Sequence, residues 1–174
     1  SEDAAEKGGY DSFMLKEIHE QPKAIKDTIS SRVSVENGVF FDDFKLSKQD
    51  LDNVDRVFIV ACRTAYHAGL MGKTLIERMA KIPVEVDIAS EFRNRNPVVT
   101  ENSLVIIVRQ SGETADTLAA LRDCNRIGAR TLAITNVVGS TISREANDVI
   151  YTMAGPEIAV ASTKAYTTQV VVMH

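Results

Sequence analysis

The sequence predicts an α/β protein in which helices cover both faces of a five-stranded parallel sheet, a three-layer sandwich. Two observations carry this prediction. Five short segments are apolar almost throughout, which is typical of strands buried on both faces, and helical segments alternate with them. A helix between consecutive strands makes those strands parallel, with right-handed crossovers. A chain of 174 residues fits one such domain and can bury a sizeable core.

The elements are predicted in chain order from apolar periodicity and from helix-ending residues. A first helix spans 12–20, and a second begins near Pro22 with Ile25, Ile29 and Val33 on its apolar face, because proline cannot continue the hydrogen bonding of the first. A turn at 36–38 precedes an irregular stretch, 39–53, with a short helix near Ser47. Strands are then expected at 57–62, 84–87, 104–108, 131–135 and 149–151. The remaining helices are expected at 65–81, 90–95, 113–127, 140–146 and 163–173.

We expect three segments: a polar linker remnant over 1–10, a helical segment over 11–53 and the sheet domain over 54–174. The last helix contains the apolar run Val170-Val171-Val172-Met173 and is followed only by His174. No capping glycine or proline ends it. This pattern predicts that the domain is truncated at its C-terminus and that its apolar end meets a further domain in a longer protein.

Composition excludes several classes of function. The net charge of -4 argues against a nucleic-acid partner, which would need a basic face. No apolar run approaches the roughly 20 residues of a membrane helix, so no membrane partner is expected. Cys62 and Cys124 form neither a disulfide framework nor a zinc ligand set, which suits a reducing cytoplasm. Both thiols could equally be small buried apolar residues.

The strongest local motif is Gln110-Ser111-Gly112-Glu113-Thr114, directly after the third strand. A turn between a parallel strand and a helix presents free N–H groups and the positive end of the helix dipole. Hydroxyls at Ser111 and Thr114, with Gly112 allowing close backbone approach, complete a site for a small anion. The alternative is that Ser111 or Thr114 simply caps the helix.

Two further turns face the same edge of the predicted sheet. Cys62-Arg63-Thr64-Ala65 follows the first strand, where Thr64 could contact the anion or cap the next helix. Val160-Ala161-Ser162-Thr163-Lys164 opens the last helix, with the same two alternatives. The glycine fingerprints of nucleotide-binding relatives of this architecture are absent, and no metal-ligand spacing or catalytic Ser/His/Asp set stands out. We therefore expect no cofactor and no metal.

Five longer motifs occur in order along the chain. They are Ala61-Cys62-x-Thr64-x-Tyr66-His67-Ala68-Gly69, Glu91-Phe92-Arg93, Gln110-Ser111-Gly112-Glu113-Thr114-Ala115-Asp116-Thr117, Ala154-Gly155-Pro156-Glu157-Ile158 and Val160-Ala161-Ser162-Thr163-Lys164-Ala165. Together they resemble the isomerase half of the glutamine–fructose-6-phosphate aminotransferases, in particular the first of its two sugar isomerase (SIS) domains. The resemblance covers about residues 12–173.

The resemblance implies a flavodoxin-like, five-stranded parallel sheet and a sugar-phosphate ligand, fructose 6-phosphate or glucosamine 6-phosphate. That family makes glucosamine 6-phosphate from fructose 6-phosphate and glutamine. By matching position, Thr64, Gln110, Ser111 and Thr114 would line the phosphate end, with Cys62 and Gly112 beside them. Val160 and Ser162 would contact the sugar.

The same resemblance implies parts that this chain lacks. The family's glutaminase domain and its second SIS domain, which carries the catalytic residues, are not present in this sequence. No catalytic residue is therefore expected here, and the chain alone should be inactive. SIS domains of this family pair as homodimers. A different possibility is a non-catalytic SIS module that senses sugar phosphates for a regulator.

Two positions depart from the family pattern. The family has glycine where this chain has Arg63, and serine where it has Arg109. An arginine fork could clamp a phosphate, or its long side chain could fill the pocket. Glycine at position 63 would also permit a positive φ, which arginine resists. Impaired ligand binding is the expectation.

Overall fold

The computed structural model describes residues 7–41, 44–110 and 114–174. Its helices are α1 (Phe13–His19), α2 (Gln21–Ile29), α3 (Lys48–Asp52), α4 (Thr64–Ala80), α5 (Ala89–Arg95), α6 (Ala115–Ile127), α7 (Thr141–Glu145) and α8 (Lys164–Met173). Its strands are β1 (Val33–Ser34), β2 (Gly38–Val39), β3 (Arg56–Ala61), β4 (Val84–Ile88), β5 (Ser103–Val108), β6 (Arg130–Thr135) and β7 (Asp148–Tyr151). None of the helices in these ranges has both the length and the apolarity needed to cross a bilayer.

The large sheet has five parallel strands in the order β4-β3-β5-β6-β7. Each strand and helix predicted beyond residue 54 is present, with ends within two residues of the predicted ones. Helix α6 ends at Gly128 in the left-handed conformation, φ 93°, as expected of a glycine C-cap. The predicted α/β class with a five-stranded parallel sheet is therefore confirmed.

Two helical layers cover the sheet because side chains alternate along each strand. In β3, Val57 and Ile59 join the core beneath α4 and α8, whereas Phe58 and Val60 join the core beneath α5 and α6. Helix α4 approaches the sheet closely at Gly69, where an added Cβ would lie 3.0 Å from side-chain atoms of Ile59 and Val86. The central strands are thus buried on both faces, as their apolar sequences predict.

The strand order places a switch point between β3 and β5. These strands are hydrogen-bonded neighbours, with Ala61 opposite Val108 at their carboxyl ends. The helix after β3, α4, packs on one face of the sheet, and the helix after β5, α6, packs on the other. Because the two chain segments part at this point, a crevice opens between them, which is where open α/β sheets bind ligands.

The predicted apolar face of the second helix is wrong at its last two members, because Ile29 is exposed and Val33 lies outside the helix. Helix α2 ends at Ile29, and Val33 instead lies in β1, paired with Val39 of β2 across a turn at which Gly38 has φ 69°. β-Branched residues favour this extended pairing over another helical turn. The buried residues of α2 are Ala24 and Thr28.

Candidate functional site

A cleft of about 540 Å³ lies at the carboxyl ends of β3 and β5. Its walls come from the turn after β3, the turn after β5 and the segment leading into α8. Eight of the residues singled out from the sequence line it together: Cys62, Arg63, Thr64, Arg109, Gln110, Thr114, Val160 and Ser162. The other two, Ser111 and Gly112, lie outside the described residues, so their predicted roles stay predictions. Three turns that are far apart in sequence therefore form one site.

Three helices begin beside this cleft, and none of them is capped by its own N-cap side chain. The N-cap residues are Arg63 for α4, Thr114 for α6 and Thr163 for α8, and no side-chain capping hydrogen bond forms at any of them. Helices α1, α3 and α7, by contrast, are capped by serine hydroxyls. The capping alternative is therefore wrong for Thr64, which is inside α4, and for the Thr114 hydroxyl.

The Thr114 hydroxyl is instead engaged by Arg109. Its guanidinium Nη1 donates to Thr114 Oγ1 at 3.0 Å and to Thr117 Oγ1 at 2.9 Å, and the two hydroxyl oxygens lie 2.7 Å apart. The backbone N–H of Arg109 donates to the Ile134 carbonyl at 2.8 Å, which fixes the strand end. A positive charge is thus held against the N-terminal turn of α6.

Arg63 has an unfavourable backbone conformation. Its φ of 54° and ψ of -132° lie outside the regions that residues with a Cβ readily occupy. Glycine adopts this conformation without steric cost. The structure therefore bears out the reasoning that position 63 suits glycine, and the exposed arginine side chain lines the cleft at a point of backbone strain.

The third wall of the cleft, the segment that leads into α8, is held by two glutamates. Glu17, on α1, is only 2% exposed, and its carboxylate accepts the backbone N–H groups of Ile158 at 2.6 Å and Ala159 at 3.1 Å. Glu157 accepts the backbone N–H groups of Thr163 and Ala165, each at 3.0 Å. A carboxylate at a helix N-terminus is stabilised by the exposed N–H groups and by the helix dipole. Glu157 thereby caps α8 in place of a hydroxyl.

A partly buried ion pair ties the same wall to the N-terminal helices. Lys164, at the start of α8, is 4% exposed, and its ammonium donates to Glu20 at 2.5 Å. Burial raises the pKa of Glu20, but the hydrogen bond and the charge of Lys164 outweigh it, so the pKa lies below its ordinary value. The N-terminal helical segment therefore helps to hold the wall of the cleft that carries Val160 and Ser162.

Sequence reasoning did not assign Glu17, Glu157 or Gln169 to the site. Gln169 is 2% exposed and lines the cleft from the second turn of α8. One signal was available: Gln169 lies four residues from both Ala165 and Met173, so it shares their buried helix face. No comparable pattern marks Glu17, because a glutamate on a short helix usually faces solvent.

The two thiols lie in different environments. Cys62 is half-buried and lines the cleft, whereas Cys124 is 1% exposed on the buried face of α6. Burial, with a smaller effect from the charge of Asp123, raises the pKa of the Cys124 thiol to about 12. Cys124 is thus a small buried residue of the core, the alternative raised for both thiols, whereas Cys62 is accessible to a ligand in the cleft. Across the described ranges, no three His, Cys, Asp or Glu side chains are grouped so that they could hold a metal ion.

We expect Arg63→Gly to stabilise the fold, because glycine removes the strain of a positive φ. The expected gain in the free energy of unfolding is about 1 kcal/mol, after allowing for the greater freedom of glycine in the unfolded chain. Urea unfolding measures it. Lys45→Gly is the matched control, since Lys45 is exposed, lies in a loop and has no positive φ; it should be neutral or destabilising. Equal or lower stability of Arg63→Gly would contradict the strain argument.

Comparisons with known proteins agree with this geometry. The family model of the SIS domain matches residues 50–174. Glutamine–fructose-6-phosphate aminotransferase (isomerizing) of Clostridium perfringens is 68% identical over 99% of this chain. The enzyme of the same name from Methanosarcina acetivorans is 54% identical, also over 99% of the chain. The chain spans 28% of the length of each of these curated relatives.

A solved structure supports the same relationship. The C-terminal domain of glucosamine-fructose-6-phosphate aminotransferase from Francisella tularensis superposes with a TM-score of 0.89 and 43% sequence identity. The match covers 96% of this chain and 47% of that one. The resemblance inferred from the five motifs is confirmed, and this chain belongs to the SIS domain family.

Proposed function

We propose that the cleft binds the sugar phosphate of an aminotransferase reaction, fructose 6-phosphate or its product glucosamine 6-phosphate. The chain would be the ligand-binding SIS domain in the isomerase part of a glutamine–fructose-6-phosphate aminotransferase. One observation carries the proposal: three helix N-termini without hydroxyl caps meet at a single cleft, lined by the residues that the family motifs assign to the ligand. No observation favours the sensor of a regulator.

The phosphate would lie between the turns after β3 and β5. Uncapped N-terminal amides of α4 and α6 can donate to its oxygens, and the helix dipoles favour its charge. Thr64 and Thr114 contribute hydroxyls from the two sides, and Gln110 contributes an amide. The family motifs also assign Ser111, Gly112 and Cys62 to this end of the proposed site. The chain's own net charge of -4 does not oppose such binding, because backbone dipoles and not lysines supply the attraction.

The sugar would lie against the third wall. Val160 is fully exposed and Ser162 is half-buried, so both are available to a ligand in the cleft. Glu17 and Glu157 hold the backbone on either side of them, which fixes the wall before a ligand arrives. A preorganised wall loses less conformational entropy on binding than a mobile loop does.

The proposal extends to the whole protein. Residues 54–174 would be the SIS domain, preceded by the linker 1–10 and the helical segment 11–53. The full enzyme would add a glutaminase domain and a second SIS domain, pair as a homodimer and work in the cytoplasm.

Light scattering on this chain measures the pairing directly, and a strictly monomeric chain at high concentration would count against the proposed homodimer.

The two arginines would oppose binding. Arg109 occupies the Thr114 hydroxyl that the proposal assigns to phosphate, and Arg63 adds a long side chain where the family has glycine. Either guanidinium could in principle pair with phosphate, but Arg109 already donates to two hydroxyls on α6. Obstruction is therefore the proposed effect of both residues.

We expect fructose 6-phosphate and glucosamine 6-phosphate to protect Cys62 from a thiol reagent. A bound ligand would cover this half-buried thiol, so labelling should slow about elevenfold at a ligand concentration of ~10 Kd, in proportion to occupancy. Mass spectrometry of the labelled peptides measures the rate. Cys124 should not react on this timescale, because its pKa of about 12 keeps it protonated.

Two controls accompany this measurement. Unphosphorylated fructose should leave the labelling rate unchanged, and Cys62→Ser should abolish the fast-reacting thiol. The proposed ligand would be overturned if neither sugar phosphate, at concentrations up to tens of millimolar, changed the labelling rate of Cys62. The same test applies to the variant that carries both Arg63→Gly and Arg109→Ser.

We expect the double variant Arg63→Gly with Arg109→Ser to bind fructose 6-phosphate about tenfold more tightly, a difference of ~1.4 kcal/mol. The change frees the Thr114 hydroxyl and removes one long side chain from the cleft. Calorimetry measures the affinity. Arg126→Ser removes an exposed arginine from the far end of α6 and should leave the affinity unchanged. Equal or weaker binding by the double variant would mean that the arginines clamp the phosphate.

We expect no formation of glucosamine 6-phosphate by this chain from fructose 6-phosphate and ammonia. The family's catalytic residues belong to the second SIS domain, so this chain offers binding without the groups that move protons. A coupled assay for the amino sugar, run beside a protein-free blank, tests this. Turnover above the blank would place catalytic residues in this chain after all.

A further inference from the structure

Two buried side-chain atoms in the described part of the chain lack a hydrogen-bond partner, and both line the same cleft. They are the amide oxygens of Gln110 and Gln169. Buried polar atoms are nearly always hydrogen-bonded, because an unmade bond costs the full desolvation of the group. Their coincidence in one cleft indicates that a ligand group supplies the missing bonds. Gln110 belongs to the phosphate motif, whereas Gln169 has no role so far.

No protein group among the described residues pairs with the Gln169 amide oxygen. It shares a helix face with Met173, which lies beside Gly72 of α4, and the buried residues of α4 are Ala65, Ala68, Gly69 and Gly72. The adjacent buried hydroxyl, Thr168, is satisfied by the Ala165 carbonyl at 2.9 Å. Because Gln169 lines the cleft, a ligand there can reach this amide.

The chemistry of the orphaned atom selects the partner. A carbonyl-type oxygen accepts hydrogen bonds and a phosphate dianion has only acceptors, so phosphate cannot pair with this oxygen as it is placed; only an amide that is turned over could donate to phosphate. A sugar hydroxyl can donate to the amide oxygen, and it can equally accept from the amide nitrogen if the amide is turned over. A hydroxyl therefore fits Gln169 in either orientation.

We propose that Gln169 binds a hydroxyl of the sugar and makes the cleft specific for a polyol phosphate over phosphate alone. This rests on the proposed function of the cleft. Gln169 lies in the second turn of α8, on the wall that carries Val160 and Ser162, and not at the N-termini of α4 and α6 where the phosphate is assigned. The phosphate end supplies charge recognition, and Gln169 supplies recognition of the carbon chain.

The test is Gln169→Met, which keeps the length and the helix propensity of the side chain but removes both polar atoms. Affinity for fructose 6-phosphate should fall about fivefold to tenfold, as expected for one lost neutral hydrogen bond, while affinity for inorganic phosphate stays within about twofold. The melting temperature should be unchanged or higher, because an unpaired buried polar group has been replaced by an apolar one.

Thr168→Val is the matched control. It removes a buried hydroxyl one residue away that does not line the cleft, so it should lower stability and leave both affinities unchanged. The measurements are made in the natural sequence and in the Arg63→Gly, Arg109→Ser background. Equal fructose 6-phosphate affinity of Gln169→Met and its parent, or an equal loss for inorganic phosphate, would overturn the role of Gln169. If neither the unaltered chain nor the Arg63→Gly, Arg109→Ser variant bound a sugar phosphate, the proposed function would be overturned, and this inference with it.

Discussion

The site depends on two neighbouring strands at the centre of the sheet whose following helices pack on opposite faces. Strands β3 and β5 are paired along their whole length, yet the helices that follow them leave toward opposite faces. Two helix N-termini must then open into the same crevice, whatever side chains surround it. In the proposed site, phosphate recognition would use backbone amides that every residue type provides, so the fold would supply the anion site and the side chains would only refine it.

A second constraint acts from behind the third wall. Glu17 and Glu157 use buried or half-buried carboxylates to hold backbone N–H groups, and Lys164 is paired with Glu20. Glu17 lies on α1 and Glu20 between α1 and α2, whereas Glu157 precedes α8 and Lys164 begins it, so the N-terminal helical segment belongs to the architecture of the site. A carboxylate that accepts several backbone N–H groups is strongly held, because each bond is charge-assisted.

Much of the fold could be predicted from the sequence because burial on both faces leaves a clear pattern in each strand. The turns after β3 and β5 could be placed for the same reason, since a parallel strand fixes which edge its end faces. Val33 was misassigned because three apolar residues at helical spacing do not exclude a hairpin. Glu17 and Gln169 escaped prediction because their roles arise only in the folded chain. Glu17 contacts backbone groups 141 and 142 residues away in sequence, and Gln169 lines a cleft formed by three distant turns. Periodicity carries no information about such partners.

Arg63 and Arg109 show how local and global requirements can conflict. The turn after β3 requires a backbone conformation that favours glycine, and arginine adopts it at φ 54°. The surrounding sheet over-determines this turn, because Ala61 is locked between β4 and β5 while α4 is packed on the core below. The fold therefore tolerates the strain, and its consequence falls on the cleft, which the charged Arg63 side chain lines beside the N-termini of α4 and α6. Arg63→Gly would therefore relieve the backbone strain and, in the proposed site, also remove a side chain from the cleft, so stability and ligand binding are linked physically at this position.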